Sequence, residues 1–370
     1  MRQTVARGEL NCPGANYMLY GADQLSSRGF NVHHNLEKNA PPSRWVSRFA
    51  WLADRAIKAA GWSSGDFPTV FKEWRRCRQS DLVVSTVDNV GVPLAYLNFF
   101  GLLRRPLLYI SIGLPERIAA LQSPLARSFY RRLYRRVPCF VAYGWEEAIQ
   151  LREWLKLPAD SNRVVFVPFG VDHRAFQPIP NTAETIDVLS IGADMQRDFH
   201  ILIETATLHP DLSFQIITSP RHALTFGAIP PNVTVLTNVP FPEIRGYLAS
   251  ARVIALPCRE NTYSSGTTTL LQAMSMAKAV MVSKTGAIRD GYHLKDNVNC
   301  RLVAPAARAE WGQAILELVH NPSTRAQLGT CARQTVESHL TWDHYVSRLT
   351  DVITQMIPAN SHNEHSNLRT

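Results

Sequence analysis

The chain has 370 residues, a length that exceeds one compact core and favours two domains. Its hydrophobic content of 45% and charged content of 19% are those of an ordinary globular protein, which excludes a fibrous or wholly disordered chain. The net charge of +9 is unevenly placed: residues 1–180 carry 24 Lys and Arg against 14 Asp and Glu, and residues 181–370 carry 15 against 16. The first half therefore either meets an acidic partner or uses its charge for solubility.

The cysteines and the first residues indicate the compartment. The six cysteines are scattered without a Cys-x-x-Cys pair, which argues against a zinc site or a disulfide framework and fits a reducing environment. Residues 1–10 are too polar for a secretory signal, and no continuous apolar run is long enough to span a bilayer. We therefore expect a cytoplasmic protein.

The beginning of the chain offers little of the buried strand that usually opens a nucleotide-binding domain. The only candidate is RQTVA at residues 2–6. Gly14 is expected in a turn before a helix, and NVHHNL at residues 31–36 is predicted to form the next strand.

Two basic segments, residues 44–60 and 123–137, are predicted to be helices in which aromatic residues are interleaved with cations. Such helices can lie in an anionic membrane surface, where each cation contributes about 1 kcal/mol. The alternative is a helix with its apolar side on the core and its basic side in water. Because two such helices occur in one half, peripheral contact with the inner face of a membrane is a competitive hypothesis. Nucleic acid is a less favoured partner, since no known binding module accompanies the charge.

Strands and helices alternate through the rest of the first half, which predicts a parallel, doubly wound α/β sheet. The predicted strands are residues 81–87, 106–114, 139–144 and 163–170, with helices at 93–103 and 145–155. Ligands bind outside the carboxyl ends of the strands in this architecture. The candidate acceptor-side residues, in the first glycine turn and in the loops after the first two strands, are Gly14, Asp88, Asn89, Ser111 and Gly113.

The segment at residues 253–288 organises the second half as strand, polar loop, helix and strand. The first turn of a helix leaves backbone N–H groups unpaired and carries the positive end of the helix dipole, so the start of this helix is a potential anion site. Gly266 allows close approach of a ligand, and Thr267, Thr268 and Thr269 add three hydroxyls, which suits a diphosphate. From these residues alone, an ordinary capped helix is the preferred interpretation.

The same segment resembles the donor-binding signature of the family 4 retaining glycosyltransferases, in which a glycine turn enters a helix reading LLEAM and a strand reading GKPVV follows. The corresponding parts here are LLQAM and AKAVMVS. VPFGVD at residues 167–172, with Phe176 and Pro178 behind it, is similar to the family's IPNGVD segment, and residues 189–204 resemble its strand, phosphate loop and helix. The resemblance covers the second half well and the first half only in pattern. It implies the GT-B fold, in which two doubly wound, Rossmann-like α/β domains face a central cleft.

The resemblance also implies roles for individual residues. The family directs an arginine and a lysine of the phosphate loop at the donor; Ala193 stands at the first position and Arg197 at the second. Two family glutamates, one near the sugar and one on the ribose, correspond to Ser264 and Gln272, and Glu260 is a candidate substitute carboxylate. The predicted catalytic residues are Arg197, Ser264 and Glu260. The predicted donor-binding residues are Gly192, Arg197, Val239, Ser265, Gly266, Thr267, Thr268 and Gln272.

The domain bounds follow from the same pattern. Residues 172–184 are rich in proline and polar residues and are predicted to connect the domains. We expect an acceptor-binding domain at 1–175, a donor-binding domain at 183–340, and a closing helix at 341–357 that the resemblance assigns to the first domain. Residues 358–370 are predicted to be a disordered tail.

The function implied by the resemblance is metal-independent transfer of a sugar, with retention, from a nucleotide-diphosphate sugar to an acceptor hydroxyl. The chain has no Asp-x-Asp pair that would bridge a metal to the diphosphate, and no cofactor is expected. The basic helices favour a lipid-linked saccharide as acceptor, as in cell-surface glycan synthesis, although a small hydrophobic metabolite would also fit. A non-catalytic protein that binds nucleotide sugars is the competing class. A dehydrogenase is disfavoured, because no Gly-x-Gly-x-x-Gly follows an opening strand.

Overall fold

The computed structural model describes residues 2–6, 12–36, 44–59, 64–288 and 290–357. The predicted disordered tail at 358–370 lies outside these residues. The chain divides into two compact units. Among the described residues, unit 1 contains 2–6, those of Leu19–Val167 and 346–357, and unit 2 contains those of Pro168–Tyr345 with the short segment 12–18. Compared with the predicted bounds, residues 168–175 and 12–18 belong to unit 2, and the division falls inside the last helix.

Unit 1 contains a four-stranded parallel sheet in the order β1-β2-β3-β4. Its central strand β2 reads LLYIS and is buried along its whole length, as expected of a parallel strand covered on both faces. The strands are β1 (Val83–Ser85), β2 (Leu107–Ser111), β3 (Cys139–Ala142) and β4 (Val164–Phe166). The helices before the unit boundary are α1 (Arg2–Ala6), α2 (Ala22–Leu25), α3 (Arg44–Ala59), α4 (Phe67–Lys72), α5 (Trp74–Gln79), α6 (Asp88–Phe99), α7 (Leu114–Ala119), α8 (Pro124–Tyr134) and α9 (Trp145–Leu155).

Unit 2 contains a six-stranded parallel sheet in the order β10-β9-β8-β5-β6-β7. The strands are β5 (Ile186–Ile191), β6 (Phe214–Thr218), β7 (Val233–Thr237), β8 (Ala251–Leu256), β9 (Ala279–Ser283) and β10 (Arg301–Val303). The helices are α10 (Phe199–Leu208), α11 (Pro220–Ala223), α12 (Phe241–Ser250), α13 (Thr267–Ser275), α14 (Arg308–His320), α15 (Pro322–His339) and α16 (Trp342–Met356), the last of which continues into unit 1. Because β5 and β8 are neighbours, the loops after their carboxyl ends lie side by side.

Two predicted strands near the amino terminus are wrong. RQTVA forms the short helix α1, and residues 31–34 adopt no regular secondary structure. Neither segment has the apolar continuity of β2, so neither would gain from burial in the centre of a sheet.

Helix α6 begins five residues earlier than predicted and runs through Pro93. Proline has no N–H to donate to the carbonyl four residues before it, which leaves the Asn89 carbonyl free. The backbone N–H of Asp66 donates to that carbonyl at 2.6 Å. A contact from a distant segment therefore satisfies the group that the proline left unpaired.

Candidate functional site

The loops after β5 and β8 form one joined structure in unit 2. The Asp198 amide donates to the Pro257 carbonyl at 2.9 Å, and the Arg259 amide donates to the Gln196 carbonyl at 2.8 Å. The Tyr263 hydroxyl donates to the Asp194 carboxylate at 2.8 Å. These contacts fix the two predicted donor loops against each other.

Arg197 lies between these loops and is fully buried, at 0% exposure. Its Nη2 donates to the Ile191 carbonyl at 2.9 Å and to Ser190 Oγ at 3.2 Å, and its Nη1 is 3.6 Å from Cys258 Sγ. Its Nε has no partner within the described part of the chain, and no carboxylate there forms an ion pair with it. A buried cation without an acidic partner is costly, so an anion would be strongly favoured beside it.

Two predicted donor-site glycines surround this guanidinium. A Cβ at Gly192 would lie 2.7 Å from Arg197 Nε, and a Cβ at Gly266 would lie 2.6 Å from Arg197 Nη1. Gly266 also has φ of +76°, a left-handed conformation that favours glycine. The absence of side chains at both positions lets the guanidinium lie directly beneath the first residues of α13.

The start of α13 carries further unpartnered polar atoms. Ser265 Oγ and Thr267 Oγ1 are buried without a hydrogen-bond partner in the described residues, and no side chain caps the helix at Gly266. Buried hydroxyls are rarely left unpaired, and the first amides of a helix attract anions. Together with Arg197, these groups form what we call the α13 anion site: Arg197, Ser265, Gly266 and Thr267.

The remaining donor-side predictions are distributed around this site. Thr268 and Ser264 are half-buried, and Gln272 is buried farther along α13 at 4% exposure. Glu260 is exposed, and its Oε1 accepts a hydrogen bond from the Gly286 amide at 2.9 Å. Val239 is half-buried after Asn238, whose φ is +56°. Glu260 is thus bonded to a different turn from the one that holds Arg197.

In unit 1, three of the acceptor-side predictions come together at the carboxyl ends of adjacent strands. Glu147 Oε1 accepts hydrogen bonds from Ser111 Oγ at 2.6 Å and from the Gly113 amide at 2.7 Å. Asp88 is buried, accepts a hydrogen bond from the Tyr109 hydroxyl at 2.9 Å, and lies 3.6 Å from the Arg117 guanidinium. The turn after β2 is therefore held by a buried carboxyl from the first turn of α9.

The other two acceptor-side residues lie apart from this turn. The Asn89 side chain is exposed, and its carbonyl is used by Asp66. Gly14 belongs to unit 2, where a Cβ would lie 2.7 Å from the Phe176 ring. Its missing side chain accommodates that ring, and its acceptor-side role stays a prediction.

Glu147 is the functional candidate that sequence reasoning missed. Burial raises the pKa of Glu147 to about 8 and the pKa of Asp88 to about 6, despite hydrogen bonds that favour their charged forms. Glu147 stands 34 to 36 residues from its partners, so no local pattern connects them. The only sequence signal was an acidic residue in the first turn of a helix that follows a buried strand.

Replacing Glu147 by glutamine should flatten the pH dependence of stability. Because burial raises the folded-state pKa from 4.5 to about 8, the stability present at low pH is lost as pH rises through that window. Glutamine keeps an oxygen for Ser111 and Gly113 but cannot ionise. Denaturant titrations measure how far the free energy of unfolding declines between pH 5 and pH 8. The decline in Glu147→Gln should be smaller than that in the wild type by at least about 1.4 kcal/mol, the equivalent of one pKa unit.

Glu146→Gln is the matched control, since the neighbouring carboxylate is only half-buried and accepts from Gln150 on its own helix. It should keep the wild-type slope. Identical slopes for Glu147→Gln and the wild type would contradict the assignment of this pH dependence to Glu147.

Part of the chain is similar in sequence to a known family, and its fold is similar to solved structures. Residues 191–321, which include the α13 anion site, match the profile of a family described as Glycosyl transferases group 1. No curated protein sequence matched the chain. Among solved structures, Anabaena HepE in complex with UDP-glucose is similar with a TM-score of 0.65 and 16% identity, over 78% of this chain and 82% of that chain.

Two further structures show the same likeness. Sucrose-phosphate synthase from Thermosynechococcus elongatus has a TM-score of 0.64 and 14% identity, over 84% of this chain and 79% of that chain. A glycosyltransferase from Rickettsia africae has a TM-score of 0.63 and 14% identity, over 91% of this chain and 88% of that chain. At such identities the likeness shows the fold, and the prediction of two parallel-sheet α/β domains of the GT-B type is confirmed. The profile match relates residues 191–321 to the group 1 glycosyltransferases.

Proposed function

We propose that this protein transfers a sugar, with retention of anomeric configuration, from a nucleotide-diphosphate sugar to an acceptor hydroxyl. The observation that carries the proposal is the fully buried Arg197 guanidinium, which has no acidic partner among the described residues and lies beneath the start of α13. A diphosphate is the ligand whose charge and oxygens would match this cation, the unpaired hydroxyls and the helix amides.

The proposed reaction breaks the bond between the sugar's anomeric carbon and the diphosphate oxygen. Negative charge develops on the departing diphosphate, and preorganised donors in a water-poor site stabilise such charge without reorganisation. Arg197 and the first amides of α13 have that role in the proposal. The acceptor oxygen forms the new bond on the face that the diphosphate leaves, and its proton passes to the departing phosphate oxygen.

The donor and the acceptor are proposed as classes. A UDP-sugar is the first donor to test, because HepE binds UDP-glucose on the same fold. The basic first half supports a lipid-linked saccharide at an anionic membrane surface as acceptor. No metal is required in the proposed reaction. Family 4 is the proposed family.

The reaction is tested by incubating the purified protein with a panel of radiolabelled nucleotide sugars and a lipid extract. We expect transfer of label to the lipid fraction, and activity that persists in the presence of a chelator. The anomeric proton coupling of the product should match that of the donor. Inversion of configuration would overturn retention, and loss of activity with the chelator would overturn metal independence.

A non-catalytic nucleotide-sugar-binding protein is the second candidate. It is favoured by the presence of Ser264 and Gln272 where the resembled family has two glutamates. Tight donor binding without transfer or hydrolysis, across the whole panel and with several acceptor extracts, would select this candidate.

Replacing Gln272 by alanine is expected to weaken nucleotide binding about tenfold. Gln272 is buried on α13. No hydrogen bond to its side-chain amide is found among the described residues, so this amide is available for a ribose diol. One neutral hydrogen bond contributes about 0.5–1.5 kcal/mol. Calorimetric titration with UDP measures the change, and unchanged affinity would remove Gln272 from the ribose role.

A further inference from the structure

Helix α3 presents its largest apolar side chains to solvent. Trp45, Phe49 and Leu52 are 71%, 69% and 54% exposed, and their spacing of four and three residues places them on one face. The opposite face packs inward: Ala50 is fully buried and Ile57 contacts the core of unit 1. The apolar stripe of α3 is thus not the side that holds the helix to its domain.

Helix α8 has a similar composition but the reverse orientation. Its Tyr130, Leu133 and Tyr134 are buried in the core, while Arg132 and Arg135 beside them are exposed. These buried residues therefore stabilise the fold and are not exposed to a membrane surface, while peripheral contact through the basic segment 123–137 stays a prediction. In α8 the aromatic residues face the core and the arginines face water. In α3 the largest apolar side chains face water instead.

Cations flank the apolar stripe of α3. The helix carries Arg44, Arg48, Arg55 and Lys58 against one acid, Asp54, which is paired with Lys58 at 2.8 Å. The guanidinium of Arg48 lies 5.8 Å from the centre of the Trp45 ring, and that of Arg55 lies 5.2 Å from the centre of the exposed Trp51 ring. Arg48 and Arg55 are therefore held beside aromatic rings, and neither forms an ion pair with a carboxylate in the described part of the chain.

We propose that α3 lies in the surface of an anionic bilayer, with Trp45, Phe49 and Leu52 among the acyl chains and the arginines on the lipid headgroups. A helix with an apolar stripe and a cationic flank inserts about 5–10 Å at the boundary between headgroups and acyl chains. A second copy of the chain would bring an equal positive charge against this face, which disfavours self-association. No helix in the described part of the chain is long and apolar enough to cross a membrane.

This inference goes beyond sugar transfer, because α3 contributes no residue to the α13 anion site. It gives the protein a surface that holds it at a membrane whether or not a donor is bound. Binding can therefore be measured without any nucleotide sugar. Its failure would remove the support for a lipid-linked acceptor but leave the proposed transfer of sugar from the donor untouched.

The test is flotation of the full chain with phosphatidylcholine vesicles and with vesicles that also contain phosphatidylglycerol. Stronger binding to the anionic vesicles is expected, decreasing as salt is raised. The triple variant Trp45→Ser, Phe49→Ser, Leu52→Ser should lose binding about tenfold or more, since each side chain removes buried apolar area.

The matched control changes three apolar residues that are just as exposed but lie elsewhere: Leu125→Ser, Leu208→Ser and Leu224→Ser, at 81%, 75% and 89% exposure. It should float like the wild type. Circular dichroism checks the folding of both triple variants.

A second pair of variants separates charge from apolar contact. Arg48→Gln with Arg55→Gln should reduce binding to anionic vesicles about tenfold or more, at about 1 kcal/mol per cation. Arg132→Gln with Arg135→Gln, at the end of α8, should change binding to anionic vesicles less. Equal recovery with neutral and anionic vesicles, or wild-type binding by the α3 triple variant, would overturn the proposal. A lipid-free dimer that the triple variant abolishes would assign the face to a second copy and overturn it as well.

Discussion

Replacing Arg197 by methionine is expected to weaken nucleoside-diphosphate binding about 100-fold, because truncating a buried charged contact costs about 2–5 kcal/mol. The same change should not lower the free energy of unfolding of the donor-free protein. Methionine loses the hydrogen bonds to Ile191 and Ser190, but it fills similar space without the cost of burying a charge that has no described acidic partner, and the second effect offsets the first. Opposite effects on binding and on donor-free stability identify a residue placed for its ligand.

Calorimetry with UDP and other nucleoside diphosphates measures the affinity, and denaturant titration measures the stability. Arg252→Met is the matched control: Arg252 lies in the same unit and pairs with Asp187 at 2.7 Å. It should bind nucleotide like the wild type. A large loss of donor-free stability in Arg197→Met together with unchanged nucleotide affinity would show that Arg197 serves the fold alone.

Replacing Gly192 by alanine should destabilise the wild type by about 1–3 kcal/mol, the usual cost of forcing extra atoms into a packed site. The three nearest atoms to the added Cβ all belong to the Arg197 side chain, at 2.7, 3.1 and 3.2 Å. In an Arg197→Ala background those atoms are gone, so the same substitution should cost less than about 0.5 kcal/mol. Nucleotide affinity should fall in Gly192→Ala, because the guanidinium is displaced from the start of α13.

These substitutions form a double-mutant cycle of four proteins: the wild type, Gly192→Ala, Arg197→Ala and the double variant. Denaturant titration measures their free energies of unfolding, and Gly246→Ala is the control. A Cβ at Gly246 would meet nothing within 4 Å, and the residue lies inside α12, so alanine there should be neutral or stabilising in both backgrounds. Additive effects of Gly192→Ala and Arg197→Ala would contradict the packing of this guanidinium against Gly192.

Much of the fold could be predicted from the sequence. The strands β2, β5 and β8 are predominantly apolar runs bounded by polar or glycine-containing loops, and such runs are recognisable without a structure. The failures fall where that signal is weak, in RQTVA and NVHHNL, which do not form strands. The glycine that begins α13 was found because a helix start after a buried strand has a local pattern.

The candidate site could be predicted only in part. Arg197 and Gly266 were identified one by one from motifs, but nothing in either motif gives the burial of the guanidinium or its contact with Cys258, 61 residues away. Glu147 was missed altogether, since its bonds to Ser111 and Gly113 join separate strand ends.

The sequence by itself determined the alternation of strands and helices, the uneven charge and the glycine at the start of α13, because these depend on residues close together in the chain. Only the tertiary structure decided that α3 exposes its aromatic residues while α8 buries them, and that Arg197 is enclosed without a described acidic partner. Burial and pairing are set by neighbours from distant segments, and a helical period is the same whether its apolar stripe faces a core or the solvent.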